Sequence, residues 1–180
     1  MKSQNIHSKL LIQRHSEIKP YAIFRVVMYD VSDLPEGSFD AHNPPKKAPV
    51  YDHTEHNQIS QLALNGFAGI LNGESGFTGQ INYLALGDGA NAPNIANTQL
   101  QSEIGRTTVV LGSNVRTNNS LILQFYFGPT EANGNIKEVG AFIDGTATVN
   151  SGTLFDRALF DLTKTSLNSV YIYMTTTVSA

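Results

Sequence analysis

The chain has 180 residues, a formal net charge of −3 at pH 7, 15% charged side chains and no cysteine. This length is sufficient for one domain with a substantial core. The slightly acidic balance argues against a nucleic-acid-binding protein, because such proteins normally present a basic face. The absence of cysteine excludes disulfide bonds and thiolate metal sites.

The polar N-terminal stretch, residues 1–20, has only one short apolar run, Leu10–Ile12. That run is too short for a signal peptide, and no segment of the chain approaches the roughly 18 apolar residues of a membrane span. We therefore expect a soluble protein made in the cytoplasm. Residues 1–20 are expected to form an extended arm that either orders against a partner subunit or frays.

The first predicted strand, Tyr21–Val31, is rich in β-branched and aromatic residues. Asp40–Pro49 follows with three prolines and two lysines, a composition that predicts an extended linker. We place a boundary there. Residues 1–50 would comprise the arm, this strand and the linker, and residues 51–180 a helix plus a β-sandwich domain.

A single helix is predicted over Asp52–Leu71. Asp52 can cap its N-terminus while Glu55 completes a capping box, and Asn72-Gly73 supplies the end. The apolar residues recur at helical spacing. They are Ile59, Leu62, Ala63, Phe67 and Ile70. Such a helix is expected to cover a sheet face or to pack against a neighbouring subunit.

The remainder of the chain has the pattern of strands separated by glycine-containing turns. The predicted strands are Ile81–Leu86, Thr107–Leu111, Ser120–Phe127, Ile136–Ile143, Thr153–Phe160 and Ser169–Val178. Short, regularly spaced strands favour an antiparallel β-sandwich. The expected fold is therefore mainly β, with one amphipathic helix and an extended N-terminal arm.

The stretch Ile81–Arg106 contains a Gly-Asp-Gly sequence directly after a strand. Gly87 and Gly89 could form a ligand loop or a structural corner. The sequence lacks the lysine and later glycine of a P-loop, and no long helix follows that could hold a phosphate. We therefore interpret the glycines as a corner, stiffened by Pro93.

A short helix is predicted after this loop, over Asn97–Ile104. Leu100 and Ile104 would anchor it on the sandwich. Arg106 and Arg157 each follow an apolar segment, and we expect them to pair with Glu103 or Glu138 near the sandwich edge.

Chemical sites have little support in the sequence. Asp52–His56 contains two histidines and two carboxylates, but His-x-x-His is less favourable for zinc than the i, i+4 spacing, so we interpret it as a polar helix start. The chain has neither a Gly-x-Ser-x-Gly elbow nor a cysteine nucleophile. We expect no catalytic residues, no cofactor, no metal site and no enzymatic activity.

Aromatic residues cluster in two of the predicted strands. Phe125, Tyr126, Phe127, Tyr171 and Tyr173 could line a sugar-binding face, but packing in a core or an interface is the commoner use of such positions. Phe125 and Phe127 therefore join Gly87, Gly89, Pro93, Leu100, Ile104, Arg106 and Arg157 as candidate structural or assembly residues.

Two segments resemble a group of bacteriophage virion proteins, chiefly tail, baseplate and fibre-associated ones. The first is LALGDGANAP followed by NTQLQSEIGR, and the second is NGNIKEVGAFIDGTATVNSGTLFDRALFDLTKT, over Asn133–Thr165. In those proteins a Gly-x-Gly loop precedes a "T-x-L-x-x-E-x-x-R" phrase, and an "I-x-E-x-G-x-F" strand precedes a "G-T-L-F-x-R" strand. The motifs occur here in the same order and span about residues 81–165.

The resemblance implies a virion structural component that assembles as a symmetric homo-oligomer and contacts other virion proteins. A tail-associated fibre, baseplate or adaptor protein is the preferred expectation. A capsid decoration or neck protein and a carbohydrate-binding receptor module, with a host surface glycan as ligand, are the alternatives. No nucleic-acid partner is expected.

Overall fold

The structure, a computed structural model, describes residues 19–179. Its elements in chain order are β1 (Lys19–Asp30), β2 (Tyr51–His56), β3 (Gln58–Ile59), α1 (Gln61–Leu71), β4 (Ile81–Gly87), β5 (Glu103–Thr108), β6 (Val115–Thr117), β7 (Ser120–Phe127), β8 (Gly134–Ile143), β9 (Thr153–Lys164) and β10 (Asn168–Ser179). The predicted arm lies mostly outside the described residues. In the described part of the chain, no helix has the length and apolar character needed to span a membrane.

The strands form two antiparallel five-stranded sheets, which confirms the predicted fold class. Sheet A has the order β2-β1-β10-β7-β6, and sheet B has the order β3-β9-β8-β4-β5. Alternate residues of each strand point between the sheets and form one apolar core. This core includes Phe24, Phe125, Phe127, Ile136 and Phe155.

Strand β1 is an integral part of the sandwich. It pairs with β10 along its whole length, so that Phe24 lies opposite Met174, and with β2 on its other side. The predicted boundary near residue 50 therefore does not separate two folding units.

The proline-rich segment after β1 packs onto the outer face of sheet A. The Tyr171 hydroxyl donates a hydrogen bond to the Asp40 carbonyl at 2.7 Å, and the Gln124 side chain donates one to the Ala41 carbonyl at 2.6 Å. Pro45 is buried, and Tyr171 is fully buried beneath the segment. Residues 40–49 act as a cover for the sheet rather than as a linker between domains.

The helix begins nine residues later than predicted, because residues 51–56 extend sheet A instead. Asp52 forms an ion pair with Arg25 of the neighbouring strand, with 2.6 Å between Arg25 Nη2 and Asp52 Oδ2, and does not cap a helix. Ser60 is the N-cap, and its hydroxyl accepts a hydrogen bond from the Ala63 amide at 3.1 Å. The predicted end at Asn72 is confirmed.

Candidate functional site

The outer face of sheet B carries a fully buried carboxylate, Glu138 of β8. Its oxygens accept hydrogen bonds from the backbone amides of Gly89 at 3.2 Å, Gln101 at 3.1 Å and Ser102 at 2.8 Å. Arg157 of β9 donates a fourth through Nε at 2.6 Å. We call this arrangement the carboxylate cradle. It ties the loop of residues 88–102 to the sheet.

The two glycines are required by space and not by backbone twist, since neither has a positive φ. A Cβ atom on Gly87 would lie 2.6 Å from Glu138 Oε1 and would collide with the Ser102 carbonyl. A Cβ atom on Gly89 would collide with Glu138 Oε1 and with the Gln101 side chain. The Gly-Asp-Gly sequence therefore makes room for the chain's own carboxylate.

The predicted short helix over Asn97–Ile104 is absent from the described residues, which have a loop there followed by β5. The amides of Gln101 and Ser102 donate to Glu138, so they do not donate to carbonyls four residues earlier, as a helix would require. Ile104 lies in β5 with 37% of its surface exposed and does not anchor the loop.

Leu100 does anchor the loop. It is fully buried in a small apolar cluster with Ala85, Phe142 and Leu154 on the outer face of sheet B. This cluster is separate from the main core between the sheets. An apolar contact and a buried carboxylate thus hold the same loop.

A second ion pair stands beside this cluster. Arg106 donates to Glu103 through Nε at 2.6 Å and through Nη2 at 2.8 Å, and its guanidinium lies 4.8 Å from the centre of the Phe142 ring. Arg106 Nη1 also donates to the Thr146 carbonyl at 2.8 Å, which fastens the turn after β8. The predicted pairing of both arginines with these two glutamates is confirmed.

The structure brings five of the nine predicted residues together on this face: Gly87, Gly89, Leu100, Arg106 and Arg157. Pro93 is half-buried farther along the loop, whereas Phe125 and Phe127 belong to the core between the sheets. Sequence reasoning missed the amides of Gln101 and Ser102, because a backbone donor leaves no signal in the side-chain pattern.

The histidine-rich segment is strand β2. His53 Nε2 lies 2.8 Å from Glu55 Oε1, and Asp52 is engaged by Arg25. Within residues 19–179, no cluster of three or more histidine, aspartate or glutamate side chains is suited to hold a metal ion.

The aromatic residues divide between the two faces of sheet A. Tyr126 and Tyr171 lie on its outer face, with 5.0 Å between their ring centres, and Tyr171 is completely covered. Tyr173 is half-buried. The five rings therefore do not form one continuous open platform.

Two further titratable groups are buried. Burial raises the pKa of the Asp156 carboxyl well above its usual range, and its partners are the Asn57 side-chain amide and the Ala141 backbone amide. Burial lowers the pKa of Lys164 to about 8. The Lys164 ammonium donates to the Gly128 carbonyl and the Asn133 side chain, each at 2.8 Å, and so fastens the turn between β7 and β8.

No protein-family model matches the chain, and comparisons with curated proteins and with solved structures gave no match.

We predict that Glu138→Gln lowers the free energy of unfolding by about 3–5 kcal/mol, because it leaves the buried Arg157 guanidinium without its counter-charge. Chemical denaturation followed by circular dichroism measures the change. Asp88→Ala is the matched control, since this carboxylate is exposed, and we expect a change within about 0.5 kcal/mol. Equal effects of the two substitutions would contradict the structural role of Glu138.

We predict that Asp156→Asn becomes progressively more stable relative to the wild type as the pH rises from about 4 to 8. The folded state retains the Asp156 proton to a higher pH than the unfolded chain does, so ionisation favours unfolding across this window. The asparagine variant lacks this proton. Urea denaturation at several pH values measures the difference, and a difference that is constant with pH would refute the prediction.

Proposed function

We propose that this chain is a structural component of a bacteriophage virion, a tail-associated fibre, baseplate or adaptor protein. In this proposal it assembles into a symmetric homo-oligomer and connects other virion proteins. Its role is to present a rigid β-sandwich whose surface loops are held in fixed positions.

The observation that carries the proposal is where the motif residues lie. The phrases LALGDG, QSEIGR, IKEVGAF and GTLFDR supply Gly87 and Gly89, the Glu103–Arg106 pair, Glu138 and Arg157. These phrases are far apart in the chain but occupy β4, β5, β8 and β9, which are neighbours in sheet B. The resemblance to virion proteins is thus carried by one interlocked structural unit.

An exposed apolar surface supports assembly. Phe67, Ile70 and Leu71 at the C-terminal end of α1 have 36%, 41% and 90% of their surface exposed. Beside them, Phe67, Ile81 and Val178 line an apolar cavity of about 380 Å³. Contiguous exposed apolar groups of this kind mark surfaces that bind another protein.

We predict that Leu71→Gln reduces the mass of the assembled protein, because it places an amide within this apolar surface. Size-exclusion chromatography with light scattering measures the mass at micromolar concentration. Val149→Gln is the matched control, because Val149 is 59% exposed in the turn after β8. A wild-type chain that is a stable monomer would contradict assembly as a homo-oligomer.

The virion assignment is tested on purified phage particles. Mass spectrometry should detect the chain in the particles, and immunogold electron microscopy should place it on the tail. Labelling of the capsid or neck would favour a decoration or neck protein, and absence from the particles would refute the proposal.

A further inference from the structure

The loop held by the carboxylate cradle forms a polar pocket of about 350 Å³ on its outer side. Amide, hydroxyl and guanidinium groups line it, from Asn91, Asn97, Thr98, Gln99, Gln101 and Arg157. The volume is within the range of small-molecule sites. A lining of this polarity suits a ligand with many hydrogen-bonding groups.

Arg157 is the deepest charged residue of the pocket, and its guanidinium is only partly used. Glu138 engages Nε alone, and Nη1 makes one long hydrogen bond, of 3.4 Å, to Asn97 Oδ1. Nη2 is buried and has no hydrogen-bond partner among residues 19–179. Leaving a buried guanidinium donor unsatisfied is unfavourable, so the site calls for an additional acceptor.

The negative charge of Glu138 is shared with three backbone amides and does not neutralise Arg157 alone. The guanidinium can therefore still attract an acidic group, and its planar fork matches a carboxylate.

The rim of the pocket offers free polar groups. The side chains of Asn91, Thr98 and Gln99 are exposed, and they make no hydrogen bonds within the part of the chain that the structure describes. In contrast, the Asn97 and Gln101 side chains accept hydrogen bonds from backbone amides of the loop and maintain its shape. The rim can thus bind hydroxyl groups without any rearrangement of the loop.

We propose that this pocket binds an acidic sugar, with the ligand carboxylate at Arg157 and the ring hydroxyls at Asn91, Thr98 and Gln99. This inference goes beyond the structural role and does not depend on the position of the chain in a virion. It differs from an aromatic sugar platform because hydrogen bonds and charge provide the recognition.

Saturation-transfer NMR with the full-length protein tests the proposal, since the method works for assemblies of any size. The probes are glucuronate, glucose and acetate. We expect glucuronate to bind at least about tenfold more tightly than either of the others, because each lacks one half of the recognised chemistry. No transfer to glucuronate at millimolar concentration would overturn the proposal. Equal binding of acetate would refute recognition of the sugar ring, and equal binding of glucose would refute the role of Arg157.

The double substitution Thr98→Val with Gln99→Leu tests the location of the site. We expect it to weaken glucuronate binding by about tenfold through the loss of two hydrogen bonds, while the thermal unfolding temperature stays unchanged. Thr117→Val, on the exposed strand β6 of sheet A, is the matched control and should bind like the wild type. Unchanged binding in the double variant would place the ligand elsewhere and overturn the assignment.

Discussion

The interaction on which the outer face of sheet B depends is the one between the Glu138 carboxylate and the backbone of residues 88–102. A buried carboxylate is unfavourable unless charged and polar partners surround it. Here three backbone amides and one arginine do so. The same four contacts satisfy amides that an irregular loop could not pair by itself. A loop without regular secondary structure is thereby fixed on a sheet.

Sheet A shows the complementary solution. Its outer face is covered by the proline-rich segment of residues 40–49, and there the sheet supplies donors, from Tyr171 and Gln124, to loop carbonyls. Both outer faces of the sandwich are thus partly covered by irregular segments held through their own backbone groups. This arrangement is consistent with the low charge content of the chain, since covered sheet faces need fewer charged side chains.

The fold class and most strands could be predicted from the sequence because their residues alternate or are continuously apolar. The bounds of β7 agree with its prediction, and those of β10 differ by one residue at each end. The helix start could not be found from local signals alone. Asp52 and Glu55 have the spacing of a capping box, but pairing with β1 and the Asp52–Arg25 ion pair favour a strand. The true cap, Ser60, directly precedes the helical segment and was the signal available.

The ion pairs could be anticipated, whereas the cradle could not. Glutamate and arginine at the ends of apolar strands indicate pairing across a sheet, which both pairs confirm. The glycines gave an ambiguous signal, because the same Gly-x-Gly spacing serves a ligand loop or a close approach of side chain to backbone. Only the tertiary structure shows that Glu138 fills the space the glycines leave.

The central claim is that Glu138 holds the loop by accepting its backbone hydrogen bonds, and amide hydrogen exchange tests it most directly. In the wild type, the amides of Gly89, Gln101 and Ser102 should exchange at least about tenfold more slowly than that of Thr98 in the same loop. In Glu138→Gln this protection should fall while the amides of β10 remain protected. Equally rapid exchange at all four loop amides in the wild type would contradict the account.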